Sequence, residues 1–448
     1  MDAGGTGPDI GSSRLSREEC ATNFSDAHPP LNTHEAAVEA GRCYFCHDAP
    51  CVTACPTGID IPSFIRKIST GNLRGSARTI LEANIFGAMC ARVCPTEILC
   101  EGACVRNTGD NRPVQIGALQ RVATDHALAG NIRFFERAPA TGKRVAVVGA
   151  GPAGLSCAHG LARLGHDVTV FDAHEKPGGL NEYGIAAYKV VDGIAAREVE
   201  YILGLGGIRI EQSQRIDAAG DLEKLRADYD AVFLGVGLGG TARLGIEGED
   251  AEGVRDAVDY IAALRQANDL TTLPVGRRVV VIGGGMTAID IATQSKKLGA
   301  EDVTIVYRRG PEDMGASEAE QHFAQTNGVR IRHWAQPAAF TVAGGRVSAV
   351  EFERTAYNSN GDLVADGGTF NIETDMVFRA IGQQYVFDGD GLDMESGRIK
   401  VDEERRTSLA GVWAGGDCVA GGLDLTVDAV EDGKRAAASI GRSLRGKD

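Results

Sequence analysis

The sequence predicts an α/β protein in which an N-terminal all-α domain precedes two doubly wound domains, the second inserted in the first. Three observations carry this. Eight of the eleven cysteines fall between Cys43 and Cys104, in a stretch whose intervening residues repeat with helical spacing. A strand, a glycine-rich turn, a helix and a strand follow one another from Lys143 (RVAVVGAGPAGLSCAHGLARLGHDVTVFD) and again from Arg277 (RRVVVIGGGMTAIDIATQSKKLGAEDVTIVYRR). The C-terminal segment GVWAGGDCVAGGLDLTVDAVEDGKRAA reads as a strand and glycine turn leading into a helix, as expected if the chain returns to complete the first doubly wound domain.

Taken in order, a chain of 448 residues exceeds one ordinary hydrophobic core and implies several. Residues 1–31, rich in Gly, Ser, Asp and Pro without a sustained period, read as a mobile tail. Residues 32–138 read as the helical domain: Pro62 suits a first helical turn, Ile61, Phe64, Ile65 and Ile68 share one face, and Gly71 suits a C-cap. Residues 139–268 with 386–448 form one doubly wound domain, and residues 269–385 the other.

The net charge of −15 and pI near 5.2 argue against a broad phosphate-binding surface, so neither nucleic acid nor an anionic membrane is expected as a partner. No stretch approaches the roughly 20 apolar residues needed to span a bilayer, and the N-terminus lacks the pattern of a signal peptide. A cytosolic location is expected, where dense cysteines indicate metal rather than disulfides.

The cysteines are spaced Cys43-x2-Cys46-x4-Cys51-x3-Cys55-Pro56 and Cys90-x3-Cys94-Pro95-x4-Cys100-x3-Cys104. Closely spaced thiolates can grip corners of one 4Fe-4S cube, while a cysteine followed by proline characteristically ligates the other cluster of a pair. Cys55 and Cys94 are the natural exchangers, and spacing alone would assign Cys90 to a cluster as well. Zinc could also use eight thiolates, but it favours short paired knuckles. Cys20, Cys157 and Cys418 have no partner at useful spacing.

Gly149, Gly151, Ala153 and Gly154 lie in the first glycine turn, and Asp172 stands 18 positions past Gly154 at the end of the next strand. Glycines let the backbone approach a pyrophosphate at a helix N-terminus, and the carboxylate suits ribose hydroxyls. The second turn holds Gly283, Gly284, Gly285, Met286 and Thr287, and its following strand ends at Arg308 and Arg309, where no acid stands. Those arginines suit a 2′-phosphate or simply a solvated face. Gly382, in RAIGQQ, and Gly416 and Asp417, in the terminal Gly-Gly-Asp, complete the cofactor-contacting set. Asp417 suits the flavin ribityl chain or a plain turn. Two fingerprints imply two dinucleotides, FAD in the first site and NAD(P)H in the second.

With these motifs in place, the sequence from about Asn32 onward resembles the electron-input module shared by dihydropyrimidine dehydrogenases and the glutamate synthase small subunit. DAPCVTACPTGIDIPSFIRKISTGNLRGSARTILEAN and CARVCPTEILCEGACVRN look most like the bacterial PreT-type subunit. The resemblance implies that Cys43, Cys46, Cys51 and Cys104 hold one 4Fe-4S cluster. It implies that Cys55, Cys94 and Cys100 hold the other, completed by Gln120 in IGALQR, with Cys90 spare. Gly178, Gly179 and Leu180 are implied to line the flavin. Met314-Gly315-Ala316-Ser317 departs from the proline that relatives carry after the methionine, which leaves a nicotinamide-site role for Glu320 open. Arg308 and Arg309 match a phosphate-reading pair, yet PreT-type subunits are NADH enzymes, so the donor stays NAD(P)H.

The activity so implied is hydride transfer from NAD(P)H to FAD, then electron passage through two 4Fe-4S clusters to an FMN- and iron-sulfur-containing subunit of the PreA type. In that hetero-oligomer the partner reduces uracil or thymine to the 5,6-dihydropyrimidine, reversibly, and no catalytic acid or base is needed from this chain. The alternatives are the small subunit of glutamate synthase, a stand-alone NAD(P)H:acceptor reductase, a disulfide reductase, and a non-enzymatic carrier. A disulfide reductase would require a cysteine pair beside the flavin, and the sequence supplies no such motif.

Overall fold

The computed structural model describes residues 9–10, 15–216, 219–387 and 391–446. The chain forms two compact units, each assembled from separate stretches.

The larger unit comprises His28–Glu182, Lys189–Gly239 and Tyr385–Asp448. It begins with helices Thr33–Ala40, Ile61–Ser69, Leu73–Ala83, Gly87–Val93 and Ile116–Ala129. The second of these shows why the sequence folds so. The Asp60 carboxylate accepts from Ser63 N, Pro62 sits in the first turn, and the helix stops at Thr70 before Gly71 turns left-handed at φ 75°. Ile61, Phe64, Ile65 and Ile68 are buried against Ile80, Ile116 and Leu119, each such burial contributing about 2 kcal/mol.

The same unit carries a five-stranded parallel sheet in the order Val412–Ala414, Ala231–Leu234, Arg144–Val148, Asp167–Phe171, Ile208–Glu211. Val412 is in register with Val232, so the C-terminal strand lies in the sheet of the first glycine motif. Helices Pro152–Arg163 and Thr426–Ser443 pack together so closely that a Cβ on Gly433 would lie 2.1 Å from the Ala153 carbonyl oxygen. Only glycine permits that approach.

The other unit comprises Met1–Ala27, Tyr183–Tyr188 and Gly240–Gln384. Its parallel sheet runs Val329–Arg332, Asp302–Val306, Arg278–Ile282, Met376–Arg379, Val254–Asp256, beside an antiparallel sheet of Ala335–Ala343, Arg346–Tyr357 and Leu363–Glu373. The boundary expected at 268/269 therefore falls inside this unit. Strand Val254–Asp256 pairs with Met376–Arg379, and the following helix Ala257–Gln266 buries Tyr260, Ile261 and Leu264 in the unit's core. A three-residue strand shows no period, so the sequence held no sign of it.

Part of the expected tail is also ordered. Arg17–Asn23 is a helix with a capping box, Ser16 Oγ accepting from Glu19 N at 3.1 Å and the Glu19 carboxylate accepting from Ser16 N at 2.7 Å. Cys20 is buried and Phe24 enters the core of the Gly240–Gln384 unit. Residues 1–8 and 11–14 lie outside the described residues. Among the described residues no helix is long and apolar enough to cross a membrane.

Candidate functional site

The cysteines separate into two groups within the larger unit. Cys43, Cys46, Cys51 and Cys104 line one cavity, backed by Ile61, Ile65, Val114 and Ile116. Burial, then the charges of Cys43 and Cys104, push the Cys51 thiol up to about 11. Burial likewise raises Cys43, although Phe45 N donates to its sulfur at 3.4 Å. Thiols so raised keep their protons at neutral pH unless a cation replaces them, which is what metal ligation does.

The second group is Cys55, Cys94 and Cys100. Cys94 is raised first by its hydrogen bond with Cys90, then by burial and by the charges of Cys100 and Cys55. Cys100 is raised by burial, then by Glu101 and Cys55. Among the described residues no three His, Cys, Asp or Glu side chains close on a single metal ion. A donor set of this kind fits an iron-sulfur cube.

Cys90 adjoins the second group through Cys94, and Gln120 lies against Gly87 on the same helix as Cys90. Gln120, buried on helix Ile116–Ala129, donates through Nε2 to the Gly87 carbonyl at 2.7 Å, leaving Oε1 as the amide's remaining acceptor. Cys90, on the helix Gly87–Val93, is hydrogen-bonded with Cys94 and accepts from Asn84 Nδ2 at 3.2 Å.

That short helix rests on a residue that sequence reasoning missed. Glu198, fully buried on helix Ile194–Leu203, accepts from Ala88 N at 2.7 Å and Met89 N at 3.0 Å. It occupies the N-terminus of a helix that has no cap of its own. Nothing local marks it, because its partners lie about 110 residues away. Burial outweighs the two backbone donors and pushes its carboxyl from 4.5 up to about 8. Between those values the unfolded chain loses the proton while the folded chain keeps it, so stability falls as pH rises through the window and levels off above it. We expect the melting temperature to drop from pH 5 to 8 by less in Glu198→Gln than in the wild type. Equal slopes in thermal scans of the two proteins would remove Glu198 from the titration.

The first dinucleotide motif forms a tight cradle. Gly149 has φ 100°, and Cβ atoms on Gly149 and Gly154 would lie 2.2 Å from the Gly235 oxygen and 1.9 Å from the Gly149 oxygen. Gly179 approaches so near that its Cβ would meet Gly151 Cα at 2.7 Å, and a Cβ on Gly416 would meet Ala153 Cβ at 3.0 Å. The structure thereby brings together Gly149, Gly151, Ala153, Gly154, Gly179 and Gly416. Helix Pro152–Arg163 starts at Gly151 with no side-chain cap, which leaves the N–H groups that follow Pro152 available to an anion at this end of the helix.

Buried Asp172 accepts from Ala150 N at 2.6 Å through Oδ2 and from His174 N at 2.8 Å through Oδ1. Oδ1 also meets His174 Nδ1 at 3.1 Å, so it is Oδ2 that keeps a further lone pair for a hydroxyl donor. Gly178 is left-handed at φ 132°, and Leu180 exposes 39% of its surface. Burial, then Asp424, pushes Asp417 up to about 6, against the pull of Arg398. These features fit a dinucleotide whose pyrophosphate meets the helix N-terminus.

The second motif repeats the arrangement in the other unit. A Cβ on Gly283 would meet the Ala380 oxygen at 2.1 Å and one on Gly284 the Tyr307 ring at 2.5 Å, whereas one on Gly285 would face open space. Helix Met286–Lys297 also lacks a side-chain cap, and Met286 and Thr287 form its half-buried first turn. Ala316 N donates to the Gly284 carbonyl at 3.0 Å, seating Met314–Ser317 on the loop, and Ser317 Oγ accepts from Glu320 N to start the next helix. Gly382 is left-handed at φ 99°, its carbonyl accepting from Ala242 N. The Arg308 carbonyl accepts from Thr355 Oγ1 and the Arg309 carbonyl from Trp334 N, while neither guanidinium has an ion pair among the described residues.

Residues 143–433 match the family model described as pyridine nucleotide-disulphide oxidoreductase, and residues 20–132 that of dihydropyrimidine dehydrogenase domain II, 4Fe-4S cluster. The chain is 35% identical over 427 residues to the NAD-dependent dihydropyrimidine dehydrogenase subunit PreT of Escherichia coli K12, covering 95% of this chain and 98% of that protein. It is 34% identical over 443 residues to the glutamate synthase [NADPH] small chain of the same organism, covering 93% of each. Among solved structures, Mycobacterium tuberculosis FprA in complex with NADPH superposes with TM-score 0.57 at 19% identity, over 69% of this chain and 85% of that one. That last likeness concerns the fold alone.

Proposed function

Because the chain belongs to the pyridine nucleotide-disulphide oxidoreductase family and carries a 4Fe-4S domain ahead of it, we propose that it is the electron-input subunit of a pyrimidine-reducing complex. It is an oxidoreductase using FAD and NAD(P)H. In our reading it carries two 4Fe-4S clusters and delivers electrons to an FMN- and iron-sulfur-containing partner of the PreA type, which reduces uracil or thymine reversibly. The observation that carries the reading is that two separate thiol groups share one compact unit with the first dinucleotide cradle.

When bound, the flavin takes up hydride from the nicotinamide and the clusters carry single electrons. The chain's own residues bind and orient. The N–H groups at Pro152–Arg163 and Met286–Lys297 face pyrophosphates, Asp172 accepts from ribose hydroxyls, and Asp417 accepts from the ribityl chain. Arg308 and Arg309 are free to pair with a 2′-phosphate, which favours NADPH, and Ala replacements of both would then raise KM for NADPH alone. Cys43, Cys46, Cys51 and Cys104 hold one cluster, and Cys55, Cys94, Cys100 and Gln120 the other. No side chain of this chain has to move a proton during transfer.

The test is an anaerobic titration of the purified chain with NADH and NADPH separately, following flavin bleaching and cluster signals, repeated with uracil and the FMN subunit. Bleaching by one donor, with uracil consumed only when the partner is present, is the expected result. The 34% identity to a glutamate synthase small chain over 93% of both chains favours a second reading. Uracil left untouched while a glutamate synthase large subunit accepts the electrons would establish it instead.

A further inference from the structure

Three consecutive residues of the C-terminal helix Thr426–Ser443 each hold a different part of the larger unit. Asp432 Oδ2 accepts from Gly416 N at 2.9 Å, fixing the Gly-Gly-Asp turn, and its other oxygen pairs with Arg405 at 2.5 Å. Gly433 lies against the main chain of Ala153 and Cys157, where no side chain fits, so the helix is seated directly on the helix of the first dinucleotide motif. Lys434 reaches the other way. Its Nζ donates to the carbonyls of Thr57 and Ala83, both at 3.1 Å, with the Glu431 carboxylate at 2.6 Å.

Those two carbonyls belong to segments that touch Cys55 of the second thiol group and Cys90, the hydrogen-bond partner of Cys94. Thr57 Oγ1 lies 3.4 Å from Cys55 Sγ, and Asn84, next in sequence to Ala83, donates to Cys90 Sγ at 3.2 Å. Asp432 and Lys434 are separated by only about 3 Å of helix rise. A rigid link a single turn long therefore runs from the flavin-side turn to the main chain around Cys55 and Cys90.

We propose that Lys434 is a positioning residue that fixes the distance from the flavin to the second thiol group and favours the reduced state of the cluster held there. The proposal rests on the reading above, in which Cys55, Cys94, Cys100 and Gln120 hold a cluster. The physical basis is twofold. The two carbonyl contacts remove freedom from both cysteine-bearing segments relative to the helix, and each electron that arrives adds negative charge, which a neighbouring ammonium stabilises. Glu431 offsets part of that charge, and the Lys434 side chain is 42% exposed, so solvent screens a further part.

The experiment compares the fully loaded wild type with Lys434→Met, Lys434→Arg and Glu431→Gln. Each is reduced with dithionite through mediators, and the two cluster signals are followed by electron paramagnetic resonance. We expect the midpoint of one signal to fall in Lys434→Met and to rise in Glu431→Gln, with the other signal unmoved. Electron passage from reduced flavin to that cluster, followed by stopped flow, should slow about tenfold in Lys434→Met and recover in Lys434→Arg. A purely structural role would not shift the potential in opposite directions in the two variants.

Identical midpoints in all four proteins, or shifts of the same sign in Lys434→Met and Glu431→Gln, would overturn the proposal. If Lys434→Met loses iron, Glu431→Gln and Lys434→Arg decide by the same titration. Dithionite reaches the clusters without a nicotinamide donor. A wild type whose flavin NADH and NADPH both fail to bleach would therefore defeat the functional reading while leaving this comparison intact.

Discussion

Replacing Gly154 by alanine is expected to leave a chain that purifies with less than about a tenth of its flavin, the full Cβ–backbone collision falling on the pyrophosphate loop. The added methyl would sit 1.9 Å from the Gly149 carbonyl oxygen and 3.0 Å from its carbon, both main-chain atoms. A flexible side chain could swing aside, but a carbonyl cannot move without carrying Gly149, whose φ of 100° and close contact with Gly235 already fix the loop. Relief requires the helix Pro152–Arg163 to withdraw from the strand Arg144–Val148. Its uncapped N-terminus, which the geometry aims at the pyrophosphate, then leaves the site. A stability loss of about 1–3 kcal/mol accompanies it. Gly285→Ala is the informative contrast, since nothing lies within 4 Å of the added atom. That variant should fold and keep its flavin while binding the nicotinamide nucleotide more weakly, because the open space it fills is where the second pyrophosphate must approach. Absorbance at 450 nm measures the first variant and equilibrium binding of NADH or NADPH the second. Full flavin content in Gly154→Ala would mean that the loop tolerates what the contacts forbid.

The parts of this molecule that were legible in the sequence are those whose chemistry is local. Gly149 to Gly154 follow an apolar strand and open a helix within a dozen residues, so steric need and sequence pattern coincide. Cys43 to Cys51 carry their ligand spacing in the same way, and the capping box of Ser16 and Glu19 could have been read, although composition argued for a tail. What remained hidden depends on distant pairing. Strand Val254–Asp256 has meaning only beside Met376–Arg379, so no local pattern separates it from the residues that precede 268/269. Glu198 acts on Ala88 and Met89, and Lys434 on Thr57 and Ala83, each across more than a hundred residues. The distribution of eight cysteines into two groups is a similar case. Spacing proposes neighbours, but Cys104 reaches the group of Cys43, Cys46 and Cys51 only because the chain turns back on itself through the helices between them. The choice between Cys90 and Gln120 is the sharpest instance, since spacing favours the cysteine and the glutamine is implied only by the resemblance to dihydropyrimidine dehydrogenases.

That choice has a large and measurable consequence. Cys90→Ala is expected to retain about eight iron atoms per chain, the content of two cubes, whereas Gln120→Leu should fall to about four. The reasoning lies in what each side chain already does. Cys90 is engaged with Asn84 Nδ2 at 3.2 Å and with the Cys94 thiol, so its sulfur has partners that do not depend on iron. Replacing it by alanine removes a small buried side chain and two weak hydrogen bonds, a loss of about 1 kcal/mol. Gln120 is held differently. Its amide nitrogen is committed to the Gly87 carbonyl at 2.7 Å, which fixes the plane of the amide and leaves the oxygen as the only atom able to ligate. Cys55, Cys94 and Cys100 alone supply three corners of a cube, and a fourth donor must come from a neighbour on a packed helix. Leucine, close to glutamine in volume, keeps the packing of helix Ile116–Ala129 while removing that donor. Gln120→Cys provides the complementary arm: iron should return toward eight, with the cluster's midpoint shifted lower because a thiolate adds negative charge where the amide had none. Iron and sulfide analysis with electron paramagnetic resonance reads all three proteins. Loss of four irons in Cys90→Ala with full content in Gln120→Leu would transfer the fourth ligand to the cysteine and make the glutamine a packing residue.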